Sequence, residues 1–147
     1  KTLLFQTITL TVTAALLVAG VVELAKTKGS PISPLERALT KGDYPAVINI
    51  LEPAVAADPE DADILAALGE AYARNHEPGK AITTLEKALK LAPNSPLIYA
   101  LMGEAYTESQ EQDKAIASYE QALKLNPNMP EVAKALQNLR TGNPAKK

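Results

Sequence analysis

Three carboxylates recur at one interval. Glu36, Glu70 and Glu104 stand 34 residues apart in a chain of 147 residues. Acids repeated at a fixed step line up once the chain between them folds into equal units. Such a row attracts Lys or Arg side chains and accepts hydrogen bonds from amides. Asp63, Ala66, Leu97, Ala100 and Glu108 fall beside it, as does Arg74. Glu70 and Arg74 are four apart, so on a helix they can also pair with each other, worth about 0.5 kcal/mol at an exposed site. Other chemistry has little to work with. Cys is absent, which removes disulfides, thiolate metal sites and cysteine nucleophiles. The single His, His76, cannot build a zinc site or a Ser–His–Asp centre. Trp is absent, Phe occurs once and the formal charge is −2, so neither base stacking nor global attraction favours nucleic acid. An enzyme reading has no supporting constellation, and no metal, cofactor or small-molecule substrate is expected.

The interval of 34 is more than a row of acids. Residues 62–95 and 96–129 share 17 of 34 positions, where chance gives roughly two. The shared positions include Gly69/Gly103, Tyr72/Tyr106, Ala81/Ala115, Ala88/Ala122 and Pro93/Pro127. Each unit reads as two helices. Leu65, Leu68, Gly69 and Tyr72 mark one apolar face, Asn75 to Gly79 breaks the pattern, and Ala81, Ile82, Leu85, Ala88 and Leu89 mark a second. Gly and Ala at the shared positions let two helices cross closely while Tyr72 and Leu85 fill the space beside them. Tyrosines 72, 99, 106 and 119 belong in the core, and His76 in an exposed turn.

The pattern Leu68-Gly69-x-x-Tyr72…Ala81…Ala88…Pro93, repeated as Met102-Gly103-x-x-Tyr106…Ala115…Ala122…Pro127, resembles the tetratricopeptide repeat family. A third copy over 28–61 matches in its second half (Gly42-Asp43-Tyr44, Ile48, Leu51, Ala54, Pro59) and is eroded in its first. There Ser33 and Glu36 form a capping box with Pro34 at the first helical position. Pro53 falls inside the following helix and predicts a local kink. Pro130 to Arg140 reads as a capping helix, and 142–147 as a flexible tail. The resemblance covers about 110 of 147 residues. It implies an all-α solenoid over 34–129, closed by a capping helix over 130–141, that binds peptide or protein segments in a groove lined by the first helix of each repeat. Carried onto this chain, the groove residues are Glu36, Asp63, Ala66, Glu70, Arg74, Leu97, Ala100, Glu104 and Glu108, with the small side chains leaving room for a ligand. Some members grip a C-terminal carboxylate with Lys, Arg and Asn at these positions. Glu stands there in this chain, which favours a basic or amide-rich segment instead.

The N-terminal stretch is of another kind. Thr2 to Val22 carries no charge, and 21 residues at 1.5 Å rise span about the 30 Å of a bilayer core. Residues 1–25 therefore predict a single transmembrane helix, although Thr7 to Thr13 alternates like a strand and a signal peptide is the plainer alternative. Thr7, Thr11, Ala15 and Ala19 form a ridge with Gly20 beside it, suited to a partner's transmembrane helix. Residues 26–33 make a short linker. Residues 1–41 are net +3, 42–123 net −9 and 124–147 net +4. The cations after the span place the repeats on the cytoplasmic or stromal side of a bacterial inner or thylakoid-type membrane. The expected whole is a membrane-anchored adaptor in the assembly of a membrane complex, by architectural likeness to bacterial or plastid factors for photosynthetic and cytochrome complexes. The alternative is a permanent small subunit of such a complex.

Overall fold

The computed structural model describes residues 33–142. Seven helices follow one another: α1 (Pro34–Lys41), α2 (Tyr44–Ala57), α3 (Ala62–Arg74), α4 (Pro78–Leu91), α5 (Pro96–Glu108), α6 (Gln112–Leu125) and α7 (Pro130–Arg140). No strand occurs among the described residues.

Local chemistry sets the helix ends. Ser33 Oγ accepts from the Glu36 N–H at 3.1 Å, and Glu36 Oε2 accepts from the Ser33 N–H at 2.9 Å, a reciprocal cap that satisfies two orphan donors. Asp43, Asp61 and Ser95 cap α2, α3 and α5 in the same sense. Each turn between paired helices needs a left-handed residue. Gly42 supplies φ 67 without strain, while His76 (φ 59) and Gln110 (φ 64) adopt it as non-glycine residues at successive 34-residue steps. Helix α2 continues through Pro53 to Ala57.

Pairing depends on two glycines. A Cβ built on Gly69 would lie 2.6 Å from Leu85 Cγ, and one on Gly103 would lie 2.5 Å from the Tyr119 ring. Leu85 is fully buried and Tyr119 nearly so, so α3 on α4 and α5 on α6 close to a spacing no larger residue permits. Ala81, Ala88, Ala115 and Ala122, all at 0 % exposure, bring the partner helix in from the other side. One continuous core runs from Leu35 to Ala115, and a second cluster joins Ala100 and Tyr119 to Val132 and Leu136 of α7.

Between repeats a polar clasp recurs. The Tyr72 hydroxyl donates to Glu52 Oε1 at 2.5 Å while Lys80 Nζ lies 5.2 Å above the ring. Burial first, and Glu52 second, push the Tyr72 hydroxyl up to about 12. Tyr106 has Lys114 over its ring at 5.4 Å, and burial first and Glu86 second raise its hydroxyl. The next copy of this clasp changes residue: Glu120 pairs with Arg140, again across 20 positions. Arg140 thus stands where a repeat would carry Tyr, and Gln137 where it would carry Gly. Helix α7 occupies the place of the first helix of another repeat, with Val132 and Leu136 buried in the positions of Ile98 and Met102.

The expected transmembrane helix requires correction. Among the described residues no helix is long and apolar enough to cross a membrane; the longest have 14 residues, about 21 Å. The described residues form an all-helical solenoid without a spanning element, and the placement as a single-pass membrane protein is not supported. Residues 1–25, the linker over 26–33 apart from Ser33, and the ridge of Thr7, Thr11, Ala15, Ala19 and Gly20 lie outside the described residues, as does the tail beyond Gly142.

Candidate functional site

The repeat brings the last turns of α3 and α5 side by side. Arg74 ends α3. Its Nη2 lies 3.6 Å from Glu70 Oε1, one turn back on the same helix, and 3.9 Å from Glu104 Oε2 on the next repeat. One guanidinium therefore serves two carboxylates and joins two repeats. Both distances suit an ion pair and both exceed hydrogen-bond length. The Glu70 side chain retains 20 % of its surface, Arg74 40 % and Glu104 49 %.

Burial holds both carboxyls above the ordinary carboxylate range. For Glu70 the loss of hydration outweighs the attraction of Arg74. For Glu104 burial again leads, Arg74 opposes it, and the negative charge of Glu70 adds to it. Glu104 is half exposed by surface yet surrounded by protein on its other sides, as expected for a carboxylate on the wall of a groove. Solvent reaches it, but incompletely. The row is thus a pair of partly desolvated acids with less than one full positive partner each.

Tyr119 adds a group that the sequence pattern does not reveal. It belongs to α6 and, like Leu85 of α4, inserts against the glycine of the facing helix. Because Gly103 has no side chain, the tyrosine passes beneath α5 and its hydroxyl arrives beside Thr107 and Glu104. Burial raises that hydroxyl to about 12, with Glu104 acting in the same direction and Thr107 opposing. The only signal in the sequence is the exchange of Leu85 for Tyr119 at equivalent positions.

Other expected groove residues go elsewhere. Glu36 is turned back onto Ser33 in the capping box, so its carboxylate is engaged at the start of α1. Ala66 and Ala100 are 2 % and 5 % exposed and leave almost no surface to a ligand. They let neighbouring first helices pack shoulder to shoulder, and Ala100 lies in the cluster formed with α7. Leu97 is half-buried against the core. Asp63 is exposed in the first turn of α3, its N–H bound by Asp61 Oδ1 at 2.8 Å. Glu108 meets His76, with Oε1 2.5 Å from Nδ1, a contact from the turn of one repeat to the helix end of the next. The residues that face solvent together are Glu70, Arg74 and Glu104, with Glu108 at the edge. Among the described residues no group of three His, Cys, Asp or Glu could hold a metal ion.

Comparison with known proteins agrees with this architecture. A family model described as tetratricopeptide repeat matches residues 38–105 and 73–139. Among solved structures, the first tetratricopeptide domain of human RPAP3 aligns at 23 % identity and TM-score 0.69, over 73 % of this chain and 84 % of that one. The first such domain of Spaghetti (RPAP3) bound to the HSP90 peptide SRMEEVD aligns at 21 % identity and TM-score 0.70, over 78 % and 98 %. A crystal structure of MamA aligns at 26 % identity and TM-score 0.67, over 78 % and 68 %. The two RPAP3 domains speak for the fold alone. No curated protein matches the chain.

Proposed function

The chain belongs to the tetratricopeptide repeat family, and from that premise we propose that it is a protein-interaction scaffold whose first-helix face takes an extended basic or amide-rich segment of a partner. The observation that carries this reading is the trio Glu70, Arg74 and Glu104. Two carboxylates from successive repeats point to one place, both are held above their ordinary range by burial, and one loosely placed cation answers them. A Lys or Arg arriving from a partner supplies the missing charge at a site where water screens it poorly, so the pairing is stronger than on open surface. An amide can donate to the same oxygens.

The same argument sets the selectivity. The HSP90 peptide on the Spaghetti (RPAP3) domain, SRMEEVD, and the HSP70 peptide on the second tetratricopeptide domain of human RPAP3, SGPTIEEVD, are acidic at their ends. An acidic tail would meet Glu70 and Glu104 and be repelled. A scaffold of this kind suits the assembly of a protein complex. A partner found only with precursors of the complex marks an assembly factor, and a fixed stoichiometry in the finished complex marks a permanent subunit.

The test is titration of the protein with two labelled ten-residue peptides, one alternating Arg with Asn and one ending EEVD. The basic peptide is expected to bind and the acidic one not. Changing Glu70→Lys and Glu104→Lys together should weaken the basic peptide at least tenfold with helicity retained. Equal affinity in the double variant defeats the reading.

A further inference from the structure

We propose that Arg74 is a resident competitor, an internal counter-ion that an arginine-bearing segment displaces when it enters between Glu70 and Glu104. This rests on the proposed groove and specifies what the groove selects. Arg74 reaches both acids at 3.6 and 3.9 Å yet makes no hydrogen bond to either among the described residues. A guanidinium that is seated permanently on a carboxylate forms short paired N–H···O bonds. Arg74 is held by charge alone, from the end of its helix, with 40 % of its side chain in solvent. It is free to leave.

The repeat itself shows the position to be particular to this unit. The residue equivalent to Arg74 one repeat on is Glu108, and one repeat back it is Thr40. Of these three equivalent positions among the described residues, only that of Arg74 carries a cation, and it lies between the two partly desolvated acids. Thr40 instead donates to the Glu36 carbonyl at 2.7 Å, and Glu108 pairs with His76.

Displacement determines the ligand class. Both acids lie within 4 Å of a single Arg74 nitrogen, so they face one small volume. An incoming guanidinium presents five donors in a planar fork and can engage both acids. An ammonium is a single point charge and competes with Arg74 on less favourable terms. Arg-bearing segments should therefore be preferred over their Lys counterparts. Arg74, once released, is left to meet the partner's backbone carbonyls or acidic residues at the edge of the groove.

The experiment measures fluorescence anisotropy with the labelled Arg/Asn peptide and its Lys/Asn counterpart, on the full chain. Three variants are compared: Arg74→Gln, Glu70→Gln with Glu104→Gln, and Lys87→Gln, which removes a charge from the exposed surface of α4. Arg74→Gln should tighten the Arg/Asn peptide about tenfold, and Lys87→Gln less than twofold. The unaltered protein should prefer Arg to Lys several-fold. Arg74→Gln that leaves binding unchanged, weakens it, or does no more than Lys87→Gln overturns the proposal. If the paired glutamine variant loses the peptide while Arg74→Gln changes nothing, the groove stands and the competitor falls. If the basic peptide binds no variant, both fall.

Discussion

Repeats 62–95 and 96–129 share half their residues and diverge in use. Their seams match. Gly69 and Gly103 admit a large partner side chain, four alanines close the crossing, and Tyr72 and Tyr106 lie under Lys80 and Lys114. Their solvent faces differ. Arg74 becomes Glu108 and Ala73 becomes Thr107, while inside the seam Leu85 becomes Tyr119, which stays buried with its hydroxyl beside Thr107. The lesson is that identity between repeats maps what holds the helices together, and departure from identity at exposed positions marks the candidates for meeting a partner. Packing constrains a buried position in every unit alike, whereas a ligand lies against each unit differently.

The comparison of seams breaks most easily at the glycines. Ala at Gly103 places a methyl against the rigid ring of Tyr119, at an overpacking cost of about 2 kcal/mol, against which better helix propensity returns about 1 kcal/mol. Ala at Gly69 meets Leu85, a more adaptable neighbour. Urea unfolding should find both variants less stable, Gly103→Ala more so. Equal stability to the parent protein would show that the two crossings are looser than described.

A smaller effect separates the two turns. His76 and Gln110 hold left-handed backbone where Gly42 does so freely. Gln110→Gly should gain about 0.5–1 kcal/mol, the relief of strain less the extra freedom given to the unfolded chain. His76→Gly should gain less, since it also loses the contact with Glu108. Thermal denaturation in parallel checks the order.

The smallest effect concerns the groove acids. Burial raises Glu70 and Glu104 in the folded chain above their unfolded value, so the folded state binds these protons more tightly. Their contribution to stability is present below the unfolded value, near 4.5, and is lost as pH rises through the folded one. Glu70→Gln with Glu104→Gln should therefore melt higher than the parent at pH 7, and the gap should close towards pH 4.5. The lowered carboxyls of Glu77 and Glu111, held down by Lys80 and Lys114, titrate alike in both proteins and cancel in the difference. A gap that widens on acidification would reverse the sign of the argument.

Much of the seam was legible from the sequence because the residues that make it recur every 34 positions. The cap at Ser33 and Glu36 was legible for the same local reason that it forms. The proposed binding face was legible in part. Glu36 carried two signals at once, a cap and a ladder position, and one carboxylate cannot serve both; the cap is nearer and wins. Ala66 and Ala100 are ambiguous because a small residue at a shared position signals close helix contact as readily as open space. The reach of Arg74 to Glu104 depends on how one repeat is rotated against the next, which no single-unit pattern encodes. The transmembrane helix was inferred from the length and hydropathy of a stretch outside the described residues, and no described helix has that length or character.

The most direct test of the binding face is nuclear magnetic resonance of the 15N-labelled chain titrated with the Arg/Asn peptide. The amide shifts should move along the facing sides of α3 and α5, around Glu70, Ala73, Arg74, Glu104 and Thr107, and leave the outer surfaces of α4 and α6 still. Shifts confined to those outer surfaces, or none at saturating peptide, would contradict the account.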